Sequence, residues 1–322
     1  MLRVQETQSP RRVFDKAAAR RAFDAAADGY DAVAVLQREI GRRLLERLDY
    51  VRLEPRTVLD LGCGTGFALD DLARRYRRAR LLGLDFAHGM LARARRRGTW
   101  RNRPRLVCAD MESLPIADDS VDLVFSNATL QWADGPERVF AELLRVLRPG
   151  GLLMFTTFGP DTLRELRAAW AEADRSGAGA PAPAPHVSPF LDMHDVGDAL
   201  VRARFADPVM DAERLTLTYS AVRELMRDLK QLGAHNALSQ RHRGLTGRRR
   251  LAAMERAYEP FRQGGRLPAT WEVVYGHAWV GEHKAQPQLD TGDGVAIPIS
   301  AIGRPSAGQG RAPGPAAPGS RQ

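Results

Sequence analysis

The chain has 322 residues, enough for one large domain or two ordinary ones. Apolar residues make up 44% and charged residues 27%, a globular composition that excludes wholesale disorder and a collagen-like chain. No apolar run reaches the roughly 18 residues of a membrane-spanning helix, and the N-terminus lacks the apolar core of a secretion signal, so a cytoplasmic location is expected. The two cysteines, Cys63 and Cys108, form no CxxC pair. A disulfide framework or cysteine zinc site is not expected, and both read as buried small hydrophobes beside the site. A net charge of +9 raises nucleic acid as a partner. Yet only three of the 48 basic residues are Lys (Lys16, Lys230 and Lys284), and no basic-aromatic signature of RNA binding occurs. An acidic protein is the more natural partner, and no nucleic acid is expected.

An Ala-rich amphipathic stretch from about Val13 to Leu48, broken near Asp28 and Gly29, predicts an N-terminal helical cap over residues 1–50. The period then changes. Short apolar runs predict strands at Thr57–Leu61, Arg80–Leu84, Arg105–Cys108, Val121–Phe125 and Gly151–Thr157. Helical patterns alternate with them at Leu69–Tyr76, His88–Arg97, Pro136–Leu147 and Asp161–Asp174. Such alternation predicts an α/β fold, a mostly parallel sheet with helices on both faces. A low-complexity loop follows at Ser176–Pro185, then a helix at Asp192–Arg202 and a strand at Leu215–Tyr219, entered from about Val209. A polar helical insert over about 220–265 precedes a last strand, Thr270–Val280. The main domain is thus expected over 51–281, with a C-terminal extension over 282–322 that reads as disordered from about Gly303.

The strongest chemical signal is Val58-Leu-Asp-Leu-Gly-Cys-Gly-Thr-Gly66. Glycines 62, 64 and 66 lie between a strand and a helix, where bare backbone lets a nucleotide cofactor approach. The third glycine comes one position too early for a dinucleotide fingerprint. Asp60, two residues before Gly62, would repel a pyrophosphate but suits a cationic ammonium. Asp85 ends the second strand, placed to accept ribose hydroxyls, and Asp110 follows the third. All three fall at the carboxyl ends of successive strands, where open α/β sheets bind ligands.

This spacing resembles motif I of the class I S-adenosylmethionine-dependent methyltransferases. The resemblance implies a Rossmann-like seven-stranded sheet with an antiparallel last strand, a helical lid, and S-adenosyl-L-methionine as cofactor. It implies contacts to that cofactor from Asp60, Gly62, Gly64, Gly66, Asp85 and Phe86. Asp110 and Met111 would meet the adenine, and Ser126 and Asn127 would follow the fourth strand. Tyr30 and Gln37 would close over the cofactor, although core packing explains Tyr30 equally well. Further stretches narrow the family: Ala26-Ala-Asp-Gly-Tyr30, Thr156-Thr-Phe-Gly-Pro-Asp-Thr-Leu163, Gly233-Ala-His-Asn236 leading to Arg241, and Leu267-Pro-Ala-Thr-Trp271. Together they are similar to the malonyl-[acyl-carrier-protein] O-methyltransferases of the biotin pathway, over roughly residues 13 to 281.

That resemblance implies methyl transfer to the free carboxylate of malonyl-acyl-carrier protein or malonyl-CoA. No catalytic base is required, because a carboxylate is already ionised at neutral pH. Gln131 and Trp132 would line the methyl-transfer end, with Asn236 beside them. Arg241 would anchor the acid, an Arg fork being the expected partner for a carboxylate; a solvated surface charge is the plainer reading of that residue. Arg241, Arg243 and Arg248–Arg250 would offer a basic face to an acidic carrier. Two alternatives stand beside this reading. One is the relative that assists assembly of respiratory complex I and hydroxylates an arginine, which shares the Gly-x-x-Asn and Pro-Ala-Thr stretches. The other is a non-catalytic binding protein built on the same scaffold.

Overall fold

The apolar run Thr57–Leu61 forms β1, and all five of its residues are buried because the sheet around it is covered on both faces. The computed structural model describes residues 13–98, 102–176, 185–241, 244 and 246–282. These residues belong to one compact unit, Met1–Lys284. The unit Ala285–Gln322, including the tail expected to be disordered, lies outside the described residues, as do residues 177–184 of the low-complexity loop.

Six further strands join β1: β2 (Arg80–Asp85), β3 (Arg105–Cys108), β4 (Val121–Ser126), β5 (Leu147–Phe158), β6 (Ala206–Tyr219) and β7 (Leu267–Trp279). Their order is β3-β2-β1-β4-β5-β7-β6. Strands β1 to β5 pair in parallel, and β7 runs antiparallel between β5 and β6. The expected seven-stranded sheet with an antiparallel last strand is what forms. Its order reverses at β1, where β4 turns to the other side, and ligands of doubly wound sheets bind at such a crevice.

Helices cover both faces. On one lie α3 (Val35–Arg47), α4 (Phe67–Arg75), α7 (Arg164–Arg175) and α10 (Arg248–Tyr258), contributing Leu44, Leu72, Trp170 and Tyr258 to the larger core. On the other, α6 (Pro136–Val146) and α8 (Met193–Arg202) bury Phe140, Leu143 and Leu200 against Phe155. The insert between β6 and β7 resolves into α9 (Val222–Gln231) and α10 rather than one continuous helical stretch. The N-terminal cap is α1 (Lys16–Ala26), the single turn α2 (Tyr30–Val33) and α3. The chain before α1 pairs with the insert: Phe14 bridges Leu238, Asp15 N–H donates to Ala237 O at 2.8 Å, and Ser239 N–H donates to Val13 O at 2.9 Å.

Two boundaries and one burial differ from expectation. β5 begins at Leu147, so Arg148-Pro149-Gly150 lies inside the strand rather than ending a helix. α7 starts at Arg164, not Asp161, because Leu163 is left-handed (φ 54°) with its N–H given to Thr270 O. Cys108 is exposed, correcting its expected burial, because β3 is the edge strand and pairs only with β2; Cys63 is buried as expected.

Candidate functional site

The turn after β1 is clamped and open at once. Gly62, Gly64 and Gly66 all have positive φ (70°, 54° and 83°), a conformation that favours glycine. The N–H groups of Gly62 and Cys63 both donate to Leu84 O, at 2.7 and 2.9 Å, tying the turn to the end of β2. A Cβ on Gly62 would lie 2.2 Å from the Thr129 side chain, whereas one on Gly64 would meet nothing within 4 Å. Gly64 therefore presents bare backbone to a cleft of about 740 Å³, lined also by Tyr30, Asp85, Phe86, Asp110 and Met111.

Two buried carboxylates frame this turn. Asp85 is 7% exposed; its Oδ2 accepts from Gly64 N–H at 2.9 Å and its Oδ1 from Ala87 N–H at 2.8 Å. Burial nevertheless raises its pKa to about 6. Asp60 is 2% exposed, and its Oδ2 has no hydrogen-bond partner among the described residues. Burial first, and then the Asp85 charge, push its pKa up to about 8. Across a smaller cleft that Asp60 shares with Gly62, Gly64 and Tyr30 stands Gln37, whose Oε1 is likewise buried without a donor. Two orphaned acceptors beside bare glycine backbone are a poor place for an anion and a good one for an ammonium group.

The cap closes the far end. Lys16 Nζ reaches Asp110 Oδ2 at 2.7 Å and Glu112 Oε1 at 2.8 Å, pinning α1 beside β3. The sequence reading missed Lys16; being one of three lysines in an arginine-rich chain was its only signal. Asp31 accepts from Thr65 Oγ1 at 2.6 Å and pairs with Arg97 at 2.9 Å, which fastens α2 over the glycine turn. Tyr30 is thereby held over the cleft, its phenol pKa raised by burial and by the Asp85 and Asp31 charges. Phe23 packs edge-on against Trp132 and Phe86, with ring centroids 5.1 and 5.7 Å apart.

A second cavity of about 790 Å³ shares Phe23, Tyr30, Ala128 and Trp132 with the first. Gln131 and Asn236 line it as expected, each with its amide engaged: Gln131 Nε2 donates to Ala128 O at 2.6 Å and Asn236 Nδ2 to Pro185 O at 2.7 Å. Asn127 lines the first cavity, donating to Gln37 O and accepting from Thr156 Oγ1, both at 2.8 Å. Three expected residues sit elsewhere, the first being Gly66, which lines neither cavity and where a Cβ would meet the Arg97 side chain at 2.8 Å. Ser126 is fully buried and donates to Leu61 O at 3.0 Å, so it braces β4 against β1 instead of lining a cavity. Arg241 lines neither cavity; its Nη2 pairs with Asp15 Oδ2 and its Nη1 donates to Leu238 O, at 3.1 and 3.0 Å. It reaches a substrate only by giving up Asp15. No Lys or Arg is among the described residues that line the second cavity.

Residues 59–155 match the family model described as a methyltransferase domain. Among solved structures, the YcgJ protein of Bacillus subtilis superposes with a TM-score of 0.52 at 15% identity, covering 75% of this chain and 100% of that one. A putative methyltransferase of Bacillus halodurans C-125 gives a TM-score of 0.51 at 16% identity, covering 74% and 97%. At such identities the likeness shows the fold alone. The curated relatives are far nearer. The malonyl-[acyl-carrier protein] O-methyltransferase of Halorhodospira halophila is 53% identical over 292 residues, 90% of this chain and 96% of that protein. The protein of the same name from Methylovorus sp. is 51% identical over 290 residues, 88% and 94% of the two chains. Similarity this close, along nearly the whole of both proteins, places the chain in the malonyl-[acyl-carrier protein] O-methyltransferase family.

Proposed function

We propose that this protein transfers a methyl group from S-adenosylmethionine to the free carboxylate of malonyl-acyl-carrier protein, or of malonyl-CoA, in the cytoplasm, as an early step of biotin synthesis. What supports this is the meeting of two cavities at Tyr30 and Trp132, beside a smaller cleft that shares Tyr30, Gly62 and Gly64 with the first and is lined by the unpartnered acceptors Asp60 Oδ2 and Gln37 Oε1. Those acceptors fit the cationic amino end of the cofactor. Asp85, with lone pairs left on both oxygens, receives the ribose hydroxyls; Phe86, Met111 and Asp110 flank the adenine; and the Gly64 backbone lies against the chain between. When bound, the cofactor supplies an electrophilic methyl on a sulfonium.

The chain's own residues then have three tasks. They desolvate the malonyl carboxylate, aim one of its oxygens at the methyl carbon to within roughly 3–3.5 Å, and keep water out. The aromatic wall of Phe23, Trp132 and Phe158 excludes water, and Gln131, fixed by Ala128 O, defines the acceptor's side of the junction. No residue needs to move a proton, since the acid enters ionised and leaves as a neutral ester. The two reacting charges cancel during transfer, so an apolar enclosure disfavours the separated ions more than the transition state. At the surface, Arg248 and Arg249 at the start of α10 are exposed and form the docking face for an acidic carrier, whereas Arg250 is held by Asp174 at 2.5 Å. Arg243, expected on that face, lies outside the described residues. Incubating the protein with methyl-labelled cofactor and malonyl-loaded carrier tests the reading: label is expected in a base-labile ester on the acyl group, and unlabelled carrier would overturn it.

A further inference from the structure

We infer that the Trp271 indole N–H is the hydrogen-bond donor that fixes the malonyl group in the second cavity, and so helps to set specificity for a carboxylate-bearing acyl chain; this rests on the malonyl reading above. Trp271 lines that cavity, is 5% exposed, and its Nε1 has no acceptor among the described residues. A buried N–H without a partner is costly, and an acceptor brought in by a ligand removes that cost. Tryptophan in such a place ordinarily finds a partner.

Several polar groups near it are already committed, although Tyr30, Ser188 and His235 line the cavity too. Gln131, Asn236 and Asn127 give their amide hydrogens to backbone oxygens, and His186 is engaged by Asp174 and Arg250. Gln37 Oε1 also lacks a partner, but it is an acceptor, unsuited to a carboxylate, and it shares the cleft of Asp60. Trp271 is rigidly placed as well. It lies within β7, paired with Leu215 of β6, and its ring packs on Phe158 with centroids 5.2 Å apart. A donor so fixed loses little freedom when it binds.

The chemistry favours a neutral donor over a guanidinium. The carboxylate carries full charge in the ground state and loses it as the ester forms. A cation would therefore hold the ground state harder than the transition state and raise the barrier, whereas an indole N–H orients the oxygen with a smaller penalty. This is consistent with the lack of Lys and Arg among the described residues of the cavity wall.

Trp271→Phe keeps the ring against Phe158 and removes the N–H. KM for malonyl-acyl-carrier protein is expected to rise about tenfold or more, with cofactor affinity unchanged. Inhibition by acetyl-loaded carrier, which lacks the carboxylate, is expected to change by less. A readout that packing alone does not move is the Trp271 indole ¹H–¹⁵N resonance, identified by its absence from the Phe variant. It should shift downfield when unlabelled malonyl-loaded carrier is added to enzyme saturated with S-adenosylhomocysteine, and stay in place with acetyl-loaded carrier. Methylation by the wild type together with an unmoved Trp271 resonance and unchanged variant KM would overturn the assignment alone, leaving Gln37 as the natural acceptor for the indole. Failure of the wild type to methylate malonyl carrier would overturn the assignment together with the reading beneath it.

Discussion

Lys16 and Asp110, 94 residues apart in the chain, meet at 2.7 Å and join the N-terminal cap to the loop after β3. The same ammonium holds Glu112 at 2.8 Å, so one side chain secures the cleft at its Asp110 end. Lys16→Met keeps the aliphatic stem and strands both carboxylates. Calorimetry is expected to show S-adenosylhomocysteine binding weakened by about tenfold, with a lower Tm. Wild-type affinity in this variant would mean that the cap closes without that link.

Asp60 and Asp85, as the proposed cofactor contacts, are expected to make cofactor binding depend on pH. Their folded pKa values, about 8 and about 6, stand above the ordinary 3.8. The folded protein therefore holds more protons than the unfolded chain from about pH 4 upward, and ligand-free stability falls as pH rises through that window to about 8. A cation arriving beside Asp60 drives its proton off. Affinity for S-adenosylhomocysteine is expected to rise between about pH 6 and 7.5, with net proton release seen as a dependence of binding heat on the buffer's ionisation heat. Asp60→Asn is expected to abolish both effects. Proton-neutral binding by the wild type would contradict the ammonium assignment.

Gly62 and Gly64 separate folding from binding. An Ala at 62 combines a left-handed φ with a Cβ 2.2 Å from Thr129, and is expected to cost about 2–4 kcal/mol by chemical denaturation. At Gly64 the added Cβ meets no neighbouring atom within 4 Å and projects into the space proposed above for the cofactor. Gly64→Ala is expected to fold with a smaller loss of stability and to lose most of its cofactor affinity. Equal behaviour of the two variants in both assays would contradict this division.

Arg241 and Asp15 form a latch between the insert and the segment preceding α1. Asp15 Oδ1 also caps α1 by accepting from Ala18 N–H, and Arg241 Nη1 also donates to Leu238 O, so Asp15→Ala and Arg241→Ala are each expected to raise cofactor KM, and the double variant by less than the product of the two. A rise in malonyl KM confined to Arg241→Ala would instead identify that residue as the acid's anchor.

The strands of the sheet and the glycine turn with its three aspartates are legible, because alternating apolar runs and turn glycines are local properties of sequence; the antiparallel direction of the last strand came only from the resemblance to class I methyltransferases. β6 was read too short. Its residues alternate between exposed and half-buried over Ala206–Tyr219 because it is an edge strand, so its polar first half carried little apolar signal. Lys16, Arg241 and Trp271 show what local pattern cannot reveal. The partners of Lys16 and Arg241 lie 94 and 226 residues away, and the want of a partner at Trp271 depends on every neighbour that the fold brings near. Ser126 is the last residue of β4 rather than the first after it, and its hydroxyl is turned to Leu61 O rather than to a ligand.

Whether the malonyl carboxylate is the methyl acceptor is decided by initial rates of methyl transfer from labelled S-adenosylmethionine to malonyl-, succinyl- and acetyl-loaded carrier, measured side by side. Rapid esterification of malonyl carrier, slower reaction of succinyl carrier and none of acetyl carrier are expected. Cofactor binding without transfer to malonyl carrier, or equal transfer to acetyl carrier, would contradict that assignment.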